Sequence, residues 1–182
     1  MEVRLSDFAE IVGTTTAVIR NAIQLNKLPF LDVNRKDHET TQKTTRRTYS
    51  VEDAFAWFLH EEAGRLLNMG QWAIAGRIQA NWPRGLSLYA KDRVAGKAAE
   101  NVCLILSSSL PGRDGTWSMH DFVILRNNPA NGEDNALQII NKYPLVTVIH
   151  LDPLFERFRV ALLSKRWTFT EDGFQRLTSE AE

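Results

Sequence analysis

The chain has 182 residues, 22 of them basic (Lys, Arg) and 22 acidic (Asp, Glu), so its formal charge is zero and it is neither a basic tail nor a supercharged nucleic-acid coat. Hydrophobic residues at 43% and charged residues at 24% are ordinary for a globular protein and argue against disorder and collagen-like repeats. Apolar runs such as Val102 to Leu106 fall far short of the roughly 20 residues a membrane helix needs, and MEVRLSDFAEIVG lacks the charged-then-apolar order of a signal peptide, so a soluble, cytoplasmic protein is expected.

In chain order, Leu5, Phe8, Ala9 and Val12 recur at i, i+3, i+4 and i+7, one face of a short amphipathic helix. Gly13 can take the left-handed conformation that ends it, and Thr14, Thr15 and Thr16 offer hydroxyls to cap a second helix. A tight helix-turn-helix junction is therefore predicted. In the second helix Val18, Ala22 and Leu25 lie on one side with Ile19 and Ile23 beside them. Ala17, Arg20, Asn21 and Gln24 fall on the other, with Pro29 closing the helix after Leu28. Arg, Asn and Gln are base-reading side chains: Asn and Gln bond an adenine edge bidentately, and Arg does so to guanine or clamps a phosphate. Any surface helix turns polar residues outward, so the stripe gains weight only from its company. That company is a basic stretch: residues 14 to 50 hold seven basic and three acidic residues, a balance of +4. Residues 30 to 49 have no core period and read as a two-stranded wing with a tip near Asp37 to Lys43. Ser50 and Asp53 then form a variant capping box that starts a helix burying Val51, Ala54, Phe55, Phe58 and Leu59, with Trp57 off the stripe.

The string LSDFAEIVGTTTAVIRNAIQLNKLPF followed by RRTYSVEDAFAWFL resembles the MerR-like winged helix-turn-helix, a fold also seen in excisionase-type regulators and phage terminase small subunits. The matching residues are Gly13, Ile19-Arg20, Leu28-Pro29, Arg47, Tyr49 and Asp53. The resemblance implies that the second helix enters the major groove through Thr16, Arg20 and Asn21 while Arg46 and Arg47 grip the backbone. Together with the pattern reading, the expected DNA-binding set is Thr15, Thr16, Arg20, Asn21, Gln24, Lys27, Arg35, Lys36, Lys43, Arg46 and Arg47. The segment between Pro29 and Tyr49 has 19 residues, longer than the compact wing typical of the family.

Farther on, Trp72, Ala75, Ile78 and Trp82 are near helical period and Pro83 stops the run; no long heptad follows, which sets aside a metal- or drug-sensing coiled-coil regulator. Residues 86 to 99 give mixed signals. Residues 101–108 and 117–125 read as strands, 135–142 as a short helix, 145–150 as a strand and Asp152-Pro153 as the start of a final helix through Lys165, a β-β-α-β-α order. Residues 168–182 read as a weakly apolar acidic tail that frays. The expected class is α+β, with a winged helix-turn-helix over 1–67, a helical connector over 68–100 and an α+β oligomerisation or partner-binding domain over 101–182.

Candidates for chemistry are sparse. His120-Asp121 and His150-x-Asp152 place two His and two Asp on neighbouring predicted strands, but neither has metal-ligand spacing and Asp152 already has a helix-cap role. The single cysteine, Cys103, excludes an intramolecular disulfide and a Cys-based zinc module, and inside an apolar strand it reads as a core residue. No catalytic residue, metal or cofactor is expected. The expected function is a sequence-specific double-stranded DNA-binding transcriptional regulator of bacterial or bacteriophage type. It would be nucleoid-associated and homodimeric, with RNA polymerase or another regulator as a further partner. The alternatives are a phage DNA-packaging or recombination factor on the same fold and a protein-interaction adaptor or anti-repressor.

Overall fold

The computed structural model describes residues 2–31, 47–67, 71–97, 102–108, 119–125 and 145–178. Most of the stretch read as a wing, with Arg35, Lys36, Lys43 and Arg46, and the helix read over 135–142 lie outside the described residues. The described fold is mixed helix and sheet, six α-helices with small antiparallel sheets, and it divides into two compact units: 1–97 with 157–182, and 98–156.

The first unit opens with β1 (Val3–Arg4), which pairs antiparallel with β2 (Thr48–Tyr49) in the register Val3↔Tyr49 and Arg4↔Thr48. Sequence patterning had missed β1, because a two-residue strand carries no alternation to detect. Helix α1 (Leu5–Val12) buries Phe8, Ala9, Ile11 and Val12 and ends where Gly13 turns left-handed at φ 76°. The Thr14 N–H donates to Ala9 O at 2.9 Å and the Gly13 N–H to Glu10 O at 3.2 Å, the paired bonds of a Schellman ending. Helix α2 (Thr16–Gln24) follows after Thr15, whose hydroxyl accepts the Val18 N–H at 3.3 Å as an N-cap. It stops four residues before Leu28. Asn26 takes φ 53°, and Lys27 N–H donates to Ala22 O at 2.8 Å, so a left-handed Asn ends the helix before Pro29 is reached.

Helix α3 (Val51–Leu67) starts on a reciprocal cap: Ser50 N–H donates to Asp53 Oδ2 at 3.0 Å and Asp53 N–H to Ser50 Oγ at 3.2 Å. It is the central helix of the unit. Beyond the expected Val51, Ala54, Phe55 and Leu59, it buries Ala56, Trp57, His60 and Ala63. Trp57, off the stripe expected from the sequence, is buried as well, because neighbours pack around α3 on several sides. Phe8 stacks on Tyr49 at 4.2 Å and meets Phe30 and Trp57 edge-on at 6.1 and 6.3 Å; Phe55 meets Tyr89 at 6.0 Å and Phe158 at 5.7 Å. Helix α4 (Gln71–Asn81) continues as a 3-10 turn (Trp82–Arg84) and is followed by α5 (Leu86–Val94), which resolves the mixed signals there as helix. Gln79 donates to Phe30 O at 3.3 Å and so ties α4 to the chain leaving α2.

In the second unit β3 (Cys103–Ser108) is the centre of a three-stranded sheet, flanked by β4 (Met119–Leu125) and β5 (Leu145–His150), all antiparallel. Leu151 N–H donates to Val102 O at 2.9 Å where β5 passes into α6 (Leu151–Ser164). The sequence reading groups 101–182 together, whereas in the structure residues 157–182 group with the first unit. Nor are the described residues of the terminal segment, 168–178, a frayed tail. Residues Trp167–Thr170 (β6) and Gly173–Arg176 (β7) form a hairpin, with Thr170 opposite Gly173 at the turn. Aromatic burial explains both differences: Phe158, Trp167 and Phe174 are buried, and Phe158 packs on Phe55, Phe58 and Phe169. Among the described residues no helix is long and apolar enough to cross a membrane.

Candidate nucleic-acid interface

Helix α2 buries only Ile19 and Ala22 fully. Its remaining circumference is mostly solvent-facing: Thr15, Ala17, Arg20, Asn21 and Gln24 are exposed, and Thr16 and Lys27 are half-buried. The sequence-predicted polar stripe thus lies on the open side of α2. The apolar stripe assigned opposite it does not hold together: Val18 is 38% and Leu25 49% exposed. The elements around α2 cover one narrow row only, and the row carrying Val18 and Leu25 joins Asn21 on the open surface. Charge favours an anionic neighbour, since residues 11 to 31 contain no Asp or Glu and include Arg20 and Lys27. Of the DNA-contacting residues expected in the wing only Arg47 lies within the described part, half-buried beside β2, while the neighbouring Thr48 hydroxyl hydrogen-bonds the Glu2 carboxylate.

The turn that aims α2 is held from a distance that no local pattern reveals. Lys165, just after α6, donates from Nζ to Ile11 O at 2.8 Å, the C-terminal end of α1. Burial pushes the Lys165 ammonium below its ordinary range, partly offset by the nearby Glu61 and Glu10 carboxylates. Glu10, in the last turn of α1, accepts from Trp167 Nε1 at 3.1 Å and from Arg176 Nη2 at 3.0 Å, and the Arg176 guanidinium lies 5.4 Å over the Trp167 ring. Glu61 accepts from Trp57 Nε1 at 2.8 Å; burial raises its carboxyl, opposed by that bond and by Lys165. Glu10, Lys165, Trp167 and Arg176 are site-positioning residues that sequence reading missed. The available signal was the alternation Trp167, Phe169 ahead of Asp172-Gly173, a strong hairpin dipeptide.

The two His-Asp pairs are not brought together. Strands β4 and β5 lie on opposite sides of β3; Asp121 is opposite Ser107, whereas His150 is opposite Cys103, four residues away along β3, a strand distance of about 13 Å. His150 Nδ1 instead sits 3.2 Å from Cys103 Sγ. Burial, with the Asp152 carboxylate adding to it, raises the thiol, which keeps it protonated and works against a nucleophilic role. Among the described residues no three His, Cys, Asp or Glu side chains group as metal ligands. In comparisons with known proteins, no family model and no curated protein matches the chain.

Proposed function

We propose that this chain is a sequence-specific double-stranded DNA-binding regulator of bacterial or phage type, with α1 and α2 as a helix-turn-helix, α2 as the major-groove helix and residues 30–49 as a wing on the phosphates. It binds without catalysing a reaction and needs no cofactor. The observation that carries the reading is the open face of α2, where Arg20, Asn21 and Gln24 project together from a carboxylate-free stretch after a capped, three-residue turn. A groove helix needs these three things: base-reading groups, no like charge facing phosphate, and a fixed angle of entry. One nine-residue helix reads few base pairs, so the proposal includes a homodimer on half-sites about 10 base pairs or a multiple apart.

The test is selection of bound sequences from random duplex DNA, followed by affinity against salt. A defined motif and a steep loss of affinity with salt are expected. Asn21→Ala should change which sequences are preferred. Arg46→Ala with Arg47→Ala should weaken binding to all sequences and flatten the salt slope by about two phosphate contacts. Failure to retain any duplex at low salt overturns the proposal.

A further inference from the structure

We infer that the open face of α2 selects A·T pairs by their thymine methyl groups, with Val18 as the methyl-contacting residue; this rests on the DNA-binding reading above and names its sequence class. Val18 is a β-branched aliphatic side chain left 38% exposed in the first turn of a helix that has Ile19 and Ala22 for its core side. Thr15 accepts the Val18 N–H itself at 3.3 Å, so the cap fixes the backbone from which this side chain projects. Groove helices contact base edges mainly through their N-terminal residues, and Val18 and Asn21 lie one turn apart on the open surface. Ala17, also exposed beside them, adds no bulk that would hold the helix away from the base pairs.

The chemistry of a neighbouring pair follows. In the major groove adenine offers a donor and an acceptor that an amide side chain matches, and its partner thymine offers an acceptor and the only methyl group on the groove floor. An amide beside an aliphatic group is therefore complementary to an A·T pair on both strands. Against G·C, Val18 would face the cytosine edge with no methyl to cover and an N4 amine left unbonded. Arg20, on the same helix, supplies the cation for phosphate or guanine at the edge of the A·T element. The absence of Asp and Glu from residues 11 to 31 also removes the side chains that accept from cytosine N4.

The experiment uses the full chain and one duplex selected from a random pool, prepared once with thymine and once with uracil at every thymine position, which deletes the C5-methyl and leaves the pairing intact. The wild-type chain is expected to select A·T pairs and to bind the uracil duplex about fourfold more weakly for each methyl covered, the factor for burying one such carbon. Val18→Ser, which leaves no methyl to meet thymine, should bind both duplexes with nearly equal affinity, and Val18→Thr, which keeps a branched methyl, should restore the discrimination. Because Val18 is exposed, neither variant should disturb the fold, and circular dichroism checks this. Equal wild-type affinity for the two duplexes, or undiminished discrimination by Val18→Ser, overturns the inference while leaving the DNA-binding reading intact. Retention of no duplex at all overturns both.

Discussion

Gly13→Ala tests the geometry that aims α2, and its cost can be apportioned. At φ 76° an L-residue sits in the left-handed region, a strain of about 1–2 kcal/mol. A Cβ at Gly13 would also stand 2.7 Å from Lys165 Nζ, closer than the two atoms can approach. The ammonium is the end of a flexible chain and can withdraw, but it then gives up its bond to Ile11 O, worth about 1.5 kcal/mol for a charged donor that is half-buried. Gly13→Ala should therefore cost about 3 kcal/mol. Lys165→Ala should cost about 1.5 kcal/mol by losing the same bond. The double variant cannot lose that bond twice, so its cost should be about 3 rather than about 4.5 kcal/mol, a coupling of about 1.5 kcal/mol. Urea unfolding of the four proteins measures the cycle, with equal m-values as the check that only stability has changed. Gly76→Ala supplies the opposite sign: Gly76 is an exposed glycine inside α4 with nothing within 4 Å of a Cβ, so alanine should stabilise by about 0.5–1 kcal/mol. Additive effects of Gly13→Ala and Lys165→Ala would refute the placement of Lys165 against the turn.

Three further substitutions probe the same unit. Burial raises the Asp53 carboxyl from 3.8 to about 7 despite the Ser50 bonds that favour its charge, with Glu52 and Glu2 adding to the rise; the folded protein thus holds a proton there that the unfolded chain has released. Stability should fall as pH rises from about 4 through about 7, by no more than about 4 kcal/mol from this group. Asp53→Asn, which can still accept the Ser50 N–H, should flatten that part of the profile. Parallel urea midpoints for both proteins at pH 4.5 and pH 8 would refute the shift. In the hairpin, Trp167→Ala should cost about 3–5 kcal/mol through lost aromatic burial, whereas Arg176→Ala, whose ion pair with Glu10 is largely solvent-exposed, should cost about 1 kcal/mol or less. Equal costs in thermal unfolding would show that the hairpin is held by charge and not by packing.

What the sequence discloses here is whatever depends on near neighbours. The Gly13 turn, the Ser50–Asp53 cap, the strand Leu145–His150 and the final helix are set by residues within a few positions of one another, and their boundaries match within a residue or two. The early end of α2 is also local, but a proline is a louder signal than an asparagine, and Asn26 acts first. The exposure of Val18 and Leu25 is a different kind of miss. Periodicity ranks the faces of a helix but not how many rows its neighbours cover, and α2 has full cover for one narrow row only. The docking of Lys165, Trp167 and Arg176 on α1 joins residues more than 150 positions apart. Nothing in either segment alone encodes the other, apart from unpaired charges and an aromatic alternation that need a partner.

Those distant contacts also bear on how a neutral chain can present a surface suited to an anion. The carbonyl end of α1 carries partial negative charge, and Glu10 in its last turn adds a full one where the helix dipole disfavours it. Left alone, that pair of negative charges would stand at the turn into α2. The C-terminal segment supplies the compensation: Lys165 takes the terminal carbonyl of Ile11, and Arg176 with the Trp167 N–H takes the Glu10 carboxylate. Cations placed at a helix C-terminus are stabilising in their own right, which offsets part of the desolvation that Lys165 undergoes there. The acid nearest α2 in sequence is thus neutralised by partners from the same compact unit, and the face bearing Arg20, Asn21 and Gln24 keeps its positive balance. The hairpin belongs to the candidate interface for an electrostatic reason as much as a packing one, and residues 1–67 by themselves lack both.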